Sequence, residues 1–195
     1  MEPVDSTSGA PDRADSPSFS AREIRRATAA DAGVLAEVAA ATFPLACPPA
    51  TTAEAIADFI ATHLTEAHFA AYLADPERVL FLATVDGHPA GYTMVIFGEP
   101  DDPDVAGALR IRPTAELSKV YVMPDHHGGG IAHELVGESI EAARARGASG
   151  IWLGVNQQNA RANRFYEKQG FELVGTKHFL VGDKYEDDFV RERSL

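Results

Sequence analysis

The sequence predicts one α/β domain built on a mixed sheet with crossover helices. Three observations predict it. Runs rich in apolar, β-branched and aromatic residues follow one another in mid-chain: VLFLATV, AGYTMVIF and ELSKVYV. Segments with apolar residues at helical spacing lie on both sides of them. The chain has 195 residues and is 45% hydrophobic, enough for one well-filled core but not for two.

Each element has its own signal. Residues 1–21 are rich in Ser, Pro, Asp and Gly and read as a disordered tail before a single domain over 22–195. The tail lacks the basic start and apolar run of a signal peptide. REIRRAT (22–28) reads as a first strand. Asp31 is placed to cap a helix whose Val34, Leu35, Val38 and Phe43 recur at helical spacing, and Pro44, Pro48 and Pro49 are expected to stop it. A second helical region, one helix or two, runs from about Thr52 to Leu73. VLFLATV (79–85) and AGYTMVIF (90–97) form a hairpin through Asp86-Gly87. GEPDDPDVAG (98–107) reads as a loop, and ELSKVYV (116–122) as a third strand ended by Met123-Pro124-Asp125.

The next helix carries Ile131, Ala132, Leu135, Val136, Ile140 and Ala143 on one face, with Gly147 at its end. IWLGV (151–155) is a buried-type strand. Asn159 caps a short helix ended by Gly170, and FELVGTKHFLV and KYEDDFVRE make two last strands.

The net charge of −12 argues against a nucleic-acid binder, which normally shows a basic face. It is compatible with a cationic substrate, and equally with solubility alone. No stretch approaches the ~18 apolar residues of a membrane span. Cys47, the single cysteine, cannot form an internal disulfide, so a reducing cytoplasm is the expected compartment.

His126-His127-Gly128-Gly129-Gly130-Ile131-Ala132 has no place inside a helix or paired strand. An esterase oxyanion loop would require a G-x-S-x-G nucleophile, and Ser118, Ser139, Ser149 and Ser194 do not sit in one. A metal site at His126, His127 and His133 lacks a ligand set. A P-loop would need Lys and Ser/Thr where Ile131 and Ala132 stand. An anion cradle at a helix N-terminus and a plain glycine turn both remain open.

A second motif follows in NARANRFYEKQGF, where Asn159, Ala162 and Tyr166 share a helix face. Together the two stretches resemble the Gcn5-related N-acetyltransferase (GNAT) superfamily. The loop His127–Ala132 stands for its Q/R-x-x-G-x-G/A signature, and Asn159, Ala162, Tyr166, Gly170 and Phe171 for its N-x-x-A-x-x-x-Y helix followed by Gly-Phe. TAELSKVYV, IWLGVNQQNARANRFYEKQGF and HFLVGDKYEDDFV look most like the bacterial spermidine/spermine N-acetyltransferase type.

The resemblance implies a mostly antiparallel sheet of about seven strands, flanked by about four helices and splayed at the fourth strand. It implies acetyl-CoA as co-substrate, no metal, and a primary amine as acceptor, a polyamine among the candidates. Acetylation of protein N-termini or lysines, and a non-catalytic acetyl-CoA-binding module, are the competing readings. Nucleic-acid and membrane partners are not expected, and a homodimer stays open.

The implied roles are specific. Val120, Tyr121 and Val122 would present backbone groups to the pantetheine arm. The amides of Gly128, Gly129, Gly130, Ile131, Ala132 and His133 would hold the pyrophosphate, and Asn159 would bond the arm. Tyr166 would be the general acid, and Glu116 either the base or a ligand of the cationic amine. His127 stands where the family usually has Arg or Gln, and Gly129 where Lys or Arg is frequent. The loop thus lacks a permanent charge, and a protonated His127 is expected to strengthen CoA binding.

Two acidic clusters could attract a cation or merely face water: Glu99, Asp101, Asp102 and Asp104, and Asp183, Glu186, Asp187 and Asp188.

Overall fold

The computed structural model describes residues 21–181 and 184–195. The expected tail, apart from Ala21, lies outside the described residues.

Seven strands form one sheet in the order β1-β2-β3-β4-β5-β7-β6. They are β1 (Arg22–Arg26), β2 (Arg78–Val85), β3 (His88–Phe97), β4 (Thr114–Val122), β5 (Gly150–Asn156), β6 (Glu172–Val181) and β7 (Lys184–Ser194). Every neighbouring pair is antiparallel except β4–β5, which is parallel.

Among the described residues six α-helices surround it, rather than about four: α1 (Ala32–Ala46), α2 (Ala53–His63), α3 (Glu66–Ala74), α4 (Pro103–Ala108), α5 (Ile131–Ala145) and α6 (Ala160–Lys168). The region after Thr52 divides in two because Thr52 and Thr65 each cap a helix, accepting from the amides of Ala55 and His68.

The extra helix, α4, lies where a loop was expected. Asp102 accepts from the amides of Asp104 and Val105 and Pro103 fills the first turn, a strong start signal hidden in an acidic run. Val105 and Leu109 then pack on Trp152 and Val190.

Two expectations about α1 fail for physical reasons. Pro44 does not stop it; the helix ends at Cys47, before Pro48. Pro44 gives up its own amide bond to the preceding turn, and buried Phe43, stacked on Phe59 at 4.5 Å, holds the helix together around it. The window Ala29–Ala46 is also long and apolar enough, by composition, to cross a membrane, contrary to the expectation above. In the fold, Leu35, Val38, Ala39 and Phe43 of this helix enter the core beside Leu80, Tyr92 and Met94.

Asp31 stands at the cap position but does not cap α1. Its carboxylate turns back to accept from Arg25 Nη1 and Nη2 at 2.9 and 2.7 Å and from the Thr28 amide at 2.7 Å. The Arg25 guanidinium, helped by Thr28 and opposed by burial, holds the Asp31 carboxyl well below the usual carboxylate range. A depressed carboxyl contributes stability above the unfolded-state value, and that stability is lost as pH falls through the folded one. Asp31→Asn should therefore cost about 1–2 kcal/mol at pH 7. In urea melts the gap to wild type should close only below the ordinary carboxylate range; a constant gap down to pH 2 would place the effect in packing.

The sheet has two covered faces. Helices α1 to α3 cover one, against Leu80, Leu82, Tyr92 and Met94. Helix α5 packs on the other through Ile131, Leu135, Val136 and Ile140, joined there by Tyr166 of α6.

Strands β4 and β5 pair only between Thr114–Glu116 and Gly150–Trp152, although both run on. Beyond Glu116 they part, and the gap between them is the functional feature of the fold.

Candidate active site

The gap is shaped by a bulge. Along β3, Ile96 faces Glu116, Val95 faces Leu117 and Met94 faces Lys119, so Ser118 is the extra residue. One additional residue resets the alternation. Glu116 and Lys119 therefore point to the same face, followed by Tyr121. Leu117 points to the other face, into the α5 side of the core.

Where β4 leaves β5, alternate residues turn their backbone groups into the gap. Met123 donates to Ala90 across the sheet, so the alternation directs Val120 and Val122 toward the opening and Tyr121 toward β3. Gly91 permits this approach: a Cβ there would lie 2.6 Å from the Tyr121 carbonyl oxygen. Gly91→Ala should force β4 aside, costing about 1–3 kcal/mol in chemical denaturation and weakening CoA binding; full stability and affinity would show that β4 moves freely.

Two cavities open on the gap. The first, about 440 Å³, runs over Val120, Val122, His127, Gly128, Gly130 and Ala132 to Phe165 and Tyr166. Gly128 and Gly130 adopt φ of +81° and +90°, which side chains with a Cβ resist, and Gly130 is the N-cap of α5. The amides of Ile131, Ala132 and His133 open that helix and have no intrahelical acceptor.

One loop residue is placed differently from expectation. Gly129 donates its amide to His126 and its carbonyl accepts from Arg22 at 2.6 Å, so it braces the turn. Ile131 buries its side chain among Phe81, Ala83 and Leu135, on the apolar face expected of it, so its amide is what it can offer a ligand.

The histidines diverge. His127 Nε2 donates to the Val122 carbonyl at 2.8 Å, and Arg161 Nη1 lies 2.8 Å from its Nδ1. His133 Nδ1 lies 2.8 Å from Gln169 Nε2. Arg161, an exposed residue in the first turn of α6 that the sequence reading passed over, sets a permanent cation beside His127. Asn159 caps α6, its Oδ1 accepting from Ala162 at 3.0 Å, so only its amide NH₂ is left to donate.

The second cavity, about 240 Å³, lies on the α1–α2 side. Phe43, Cys47, Pro48 and Phe59 form an apolar wall. Glu116, Lys119 and Tyr121 line β4, and across the gap stand Asn156, Lys177 and Asp188. Lys119, Lys177 and Asp188 complete the site, yet sequence reasoning missed both lysines and counted Asp188 only within a surface cluster.

Among the described residues, the other acidic ones of the two clusters line neither cavity. Glu99 pairs with Arg112, Asp102 caps α4, and Asp187 meets His178 at 2.9 Å. Asp183 and the side chain of Glu186 lie outside the described residues.

Tyr166 stands between the two cavities and lines both. Its ring meets Phe171 edge-on at 5.8 Å, and burial, with a smaller effect from Tyr121, pushes its phenol above the usual value. A neutral hydroxyl held at the boundary of two cavities can donate a proton to a group leaving either.

The loop fits a coenzyme A pyrophosphate: the glycine turn and the free helix amides leave a surface on which phosphate oxygens can rest directly. The parted strand offers backbone partners to an extended arm.

Comparison with known proteins agrees with that chemistry. The model of the acetyltransferase (GNAT) family matches residues 44–171. An uncharacterized N-acetyltransferase of Mycobacterium tuberculosis is 48% identical over 165 residues, covering 85% of this chain and 98% of that protein. Streptothricin acetyltransferase of Streptomyces lavendulae is 34% identical over 79 residues, 38% of this chain and 42% of that one. The fold is shared with the PaiA N-acetyltransferase of Thermoplasma acidophilum, solved in complex with coenzyme A, at a TM-score of 0.73 and 21% identity over 90% of this chain and 99% of that one. None of these matches supports the finer placement in the spermidine/spermine type. The family match takes in β4, the glycine loop and α6, and the mycobacterial relative aligns over nearly its whole length, so the chain belongs to the acetyltransferase (GNAT) family and is an acyltransferase.

Proposed function

We propose that the protein moves the acetyl group of acetyl-CoA to the primary amine of a small molecule by direct attack. The observation that carries this reading is the meeting of the two cavities: both are lined by Val120, Tyr121, Asn159, Ala162 and Tyr166. A donor in one and an acceptor in the other would have their reacting ends at that junction, which is how proximity lowers a bimolecular barrier.

Acetyl-CoA supplies an activated thioester. The chain's own residues do the rest. The amides of Ile131, Ala132 and His133 hold the pyrophosphate, and the backbone of Val120, the Val122 amide and the Asn159 amide orient the arm, the Val122 carbonyl being taken by His127. Tyr166 donates its proton to the departing sulfur. Glu116 takes the proton from the acceptor ammonium, directly or through water.

The enclosed volume and the Phe43–Phe59 wall favour a small molecule over a protein chain. A polyamine draws support from Glu116 and Asp188, while Lys119 and Lys177 in the same cavity weigh against a polycation.

The test is free-thiol release from acetyl-CoA across a panel of amines and peptides. Release with small amines but not peptides is expected. Release with peptides alone would overturn the small-molecule reading, and CoA binding without release on any acceptor would indicate a non-catalytic module.

A further inference from the structure

The acceptor cavity holds more charge than amine acetylation requires. Recognising an ammonium needs one carboxylate, and Glu116 or Asp188 serves. Lys119 and Lys177 are then unexplained. Neither makes a hydrogen bond or ion pair among the described residues, although both line the cavity.

Lys119 reaches the cavity because the Ser118 bulge turns it to the same face as Glu116. Burial pushes its ammonium below the usual lysine value, Glu116 partly restores it, and the charges of Arg78 and Lys177 lower it further. Lys177 approaches from β6, across the gap. Its Nζ lies 5.4 Å from the Trp152 ring centre. It also lies 3.1 Å from the point where a Cβ on Gly154 would stand, with Asp188 Oδ2 3.4 Å from the same point.

Both side chains are only half-buried, Glu116 attracts Lys119 and the Trp152 ring faces Lys177, but the two ammonium groups repel each other across the cavity. A ligand that brings an anionic group between them relieves that repulsion, and one that brings only positive charge adds to it.

Resting on the acetyltransferase reading above, the geometry points to an acceptor that is an amino acid: its ammonium on Glu116 and Asp188, its carboxylate between Lys119 and Lys177, and an apolar side chain against Phe43 and Phe59. The cavity then holds balanced charges, two carboxylates and two ammonium groups from the protein against one of each from the ligand. This excludes spermidine as the preferred acceptor despite the acidity of the chain.

The experiment compares acids with their amides. Purified full-length protein is given acetyl-CoA and L-leucine, L-phenylalanine, and β- and γ-amino acids, each beside its carboxamide, with spermidine as a further acceptor. The longer amino acids test the spacing of the two charges.

The wild type should use at least one acid with kcat/KM about 10-fold or more above its amide, the size expected of a charge-assisted contact. In Lys119→Met and Lys177→Met that ratio should fall toward one, mainly through the KM of the acid. Lys177→Met changes a half-buried side chain, and thermal melts would show that it folds should Lys119→Met fail to do so. Amides used as well as acids, or spermidine preferred over both, would overturn the inference while leaving acetyl transfer intact. No thiol release with any amine would overturn the transfer reading itself and this inference with it.

Discussion

Tyr166→Phe should lower kcat by about 10²–10⁴-fold, the usual contribution of a positioned proton donor, while the Kd for CoA stays close to wild type. The packing argument makes the loss specific. The ring is held by Phe171 and by Phe165, edge-on at 5.8 and 5.2 Å, and phenylalanine keeps both contacts. The hydroxyl has no hydrogen-bond partner among the described residues, so its removal orphans nothing and should leave stability unchanged or slightly higher. Burial raises the phenol above its usual value, so the group is neutral at any pH at which the enzyme would be assayed. It can act as an acid and not as a base, and the deficit of the variant should be the same at pH 7 and pH 9. Single-turnover measurements of thiol release with saturating amine read the chemical step directly. An unchanged rate would remove Tyr166 from the chemistry and leave it a wall of both cavities.

The two motifs that carry this residue were legible in the sequence because each is local. Asn159, Ala162 and Tyr166 share one short helix, and the glycines precede the helix they cap, so spacing alone brings them to a common ligand. The acceptor side was not legible in the same way. Lys119 faces Glu116 only because Ser118 bulges, and the alternation of an unbulged strand would set them on opposite faces. Lys177 and Asp188 reach the site because β7 lies between β5 and β6, an order that puts the last hairpin against the gap. No local pattern in HFLVGDKYEDDFV states that order. Similarly, Pro44 and Asp102-Pro103 were read as breaks, since a proline's effect depends on whether the turn around it is ending, packed or beginning.

Arg161→Ala should raise the Kd for CoA about 10–100-fold, the range of a lost charge-assisted hydrogen bond. The reason lies in the hydrogen bonds of His127. A guanidinium only donates and a carbonyl only accepts. With Arg161 on Nδ1 and the Val122 carbonyl on Nε2, each at 2.8 Å, Nε2 is the nitrogen that donates and Nδ1 the one that accepts. The cation that the glycine loop lacks is therefore Arg161, held over the groove by His127 and reinforced by the positive end of α6. Glutamine offers one donor and one acceptor in place of the ring, so His127→Gln should bind CoA nearly as wild type does, whereas His127→Leu should weaken binding by releasing Arg161 and leaving the Val122 carbonyl without its partner. Added salt separates charge from shape: wild-type affinity should fall more steeply with ionic strength than that of Arg161→Ala. Equal slopes would mean that the phosphates rest on the helix amides alone, with Arg161 serving only to hold the loop.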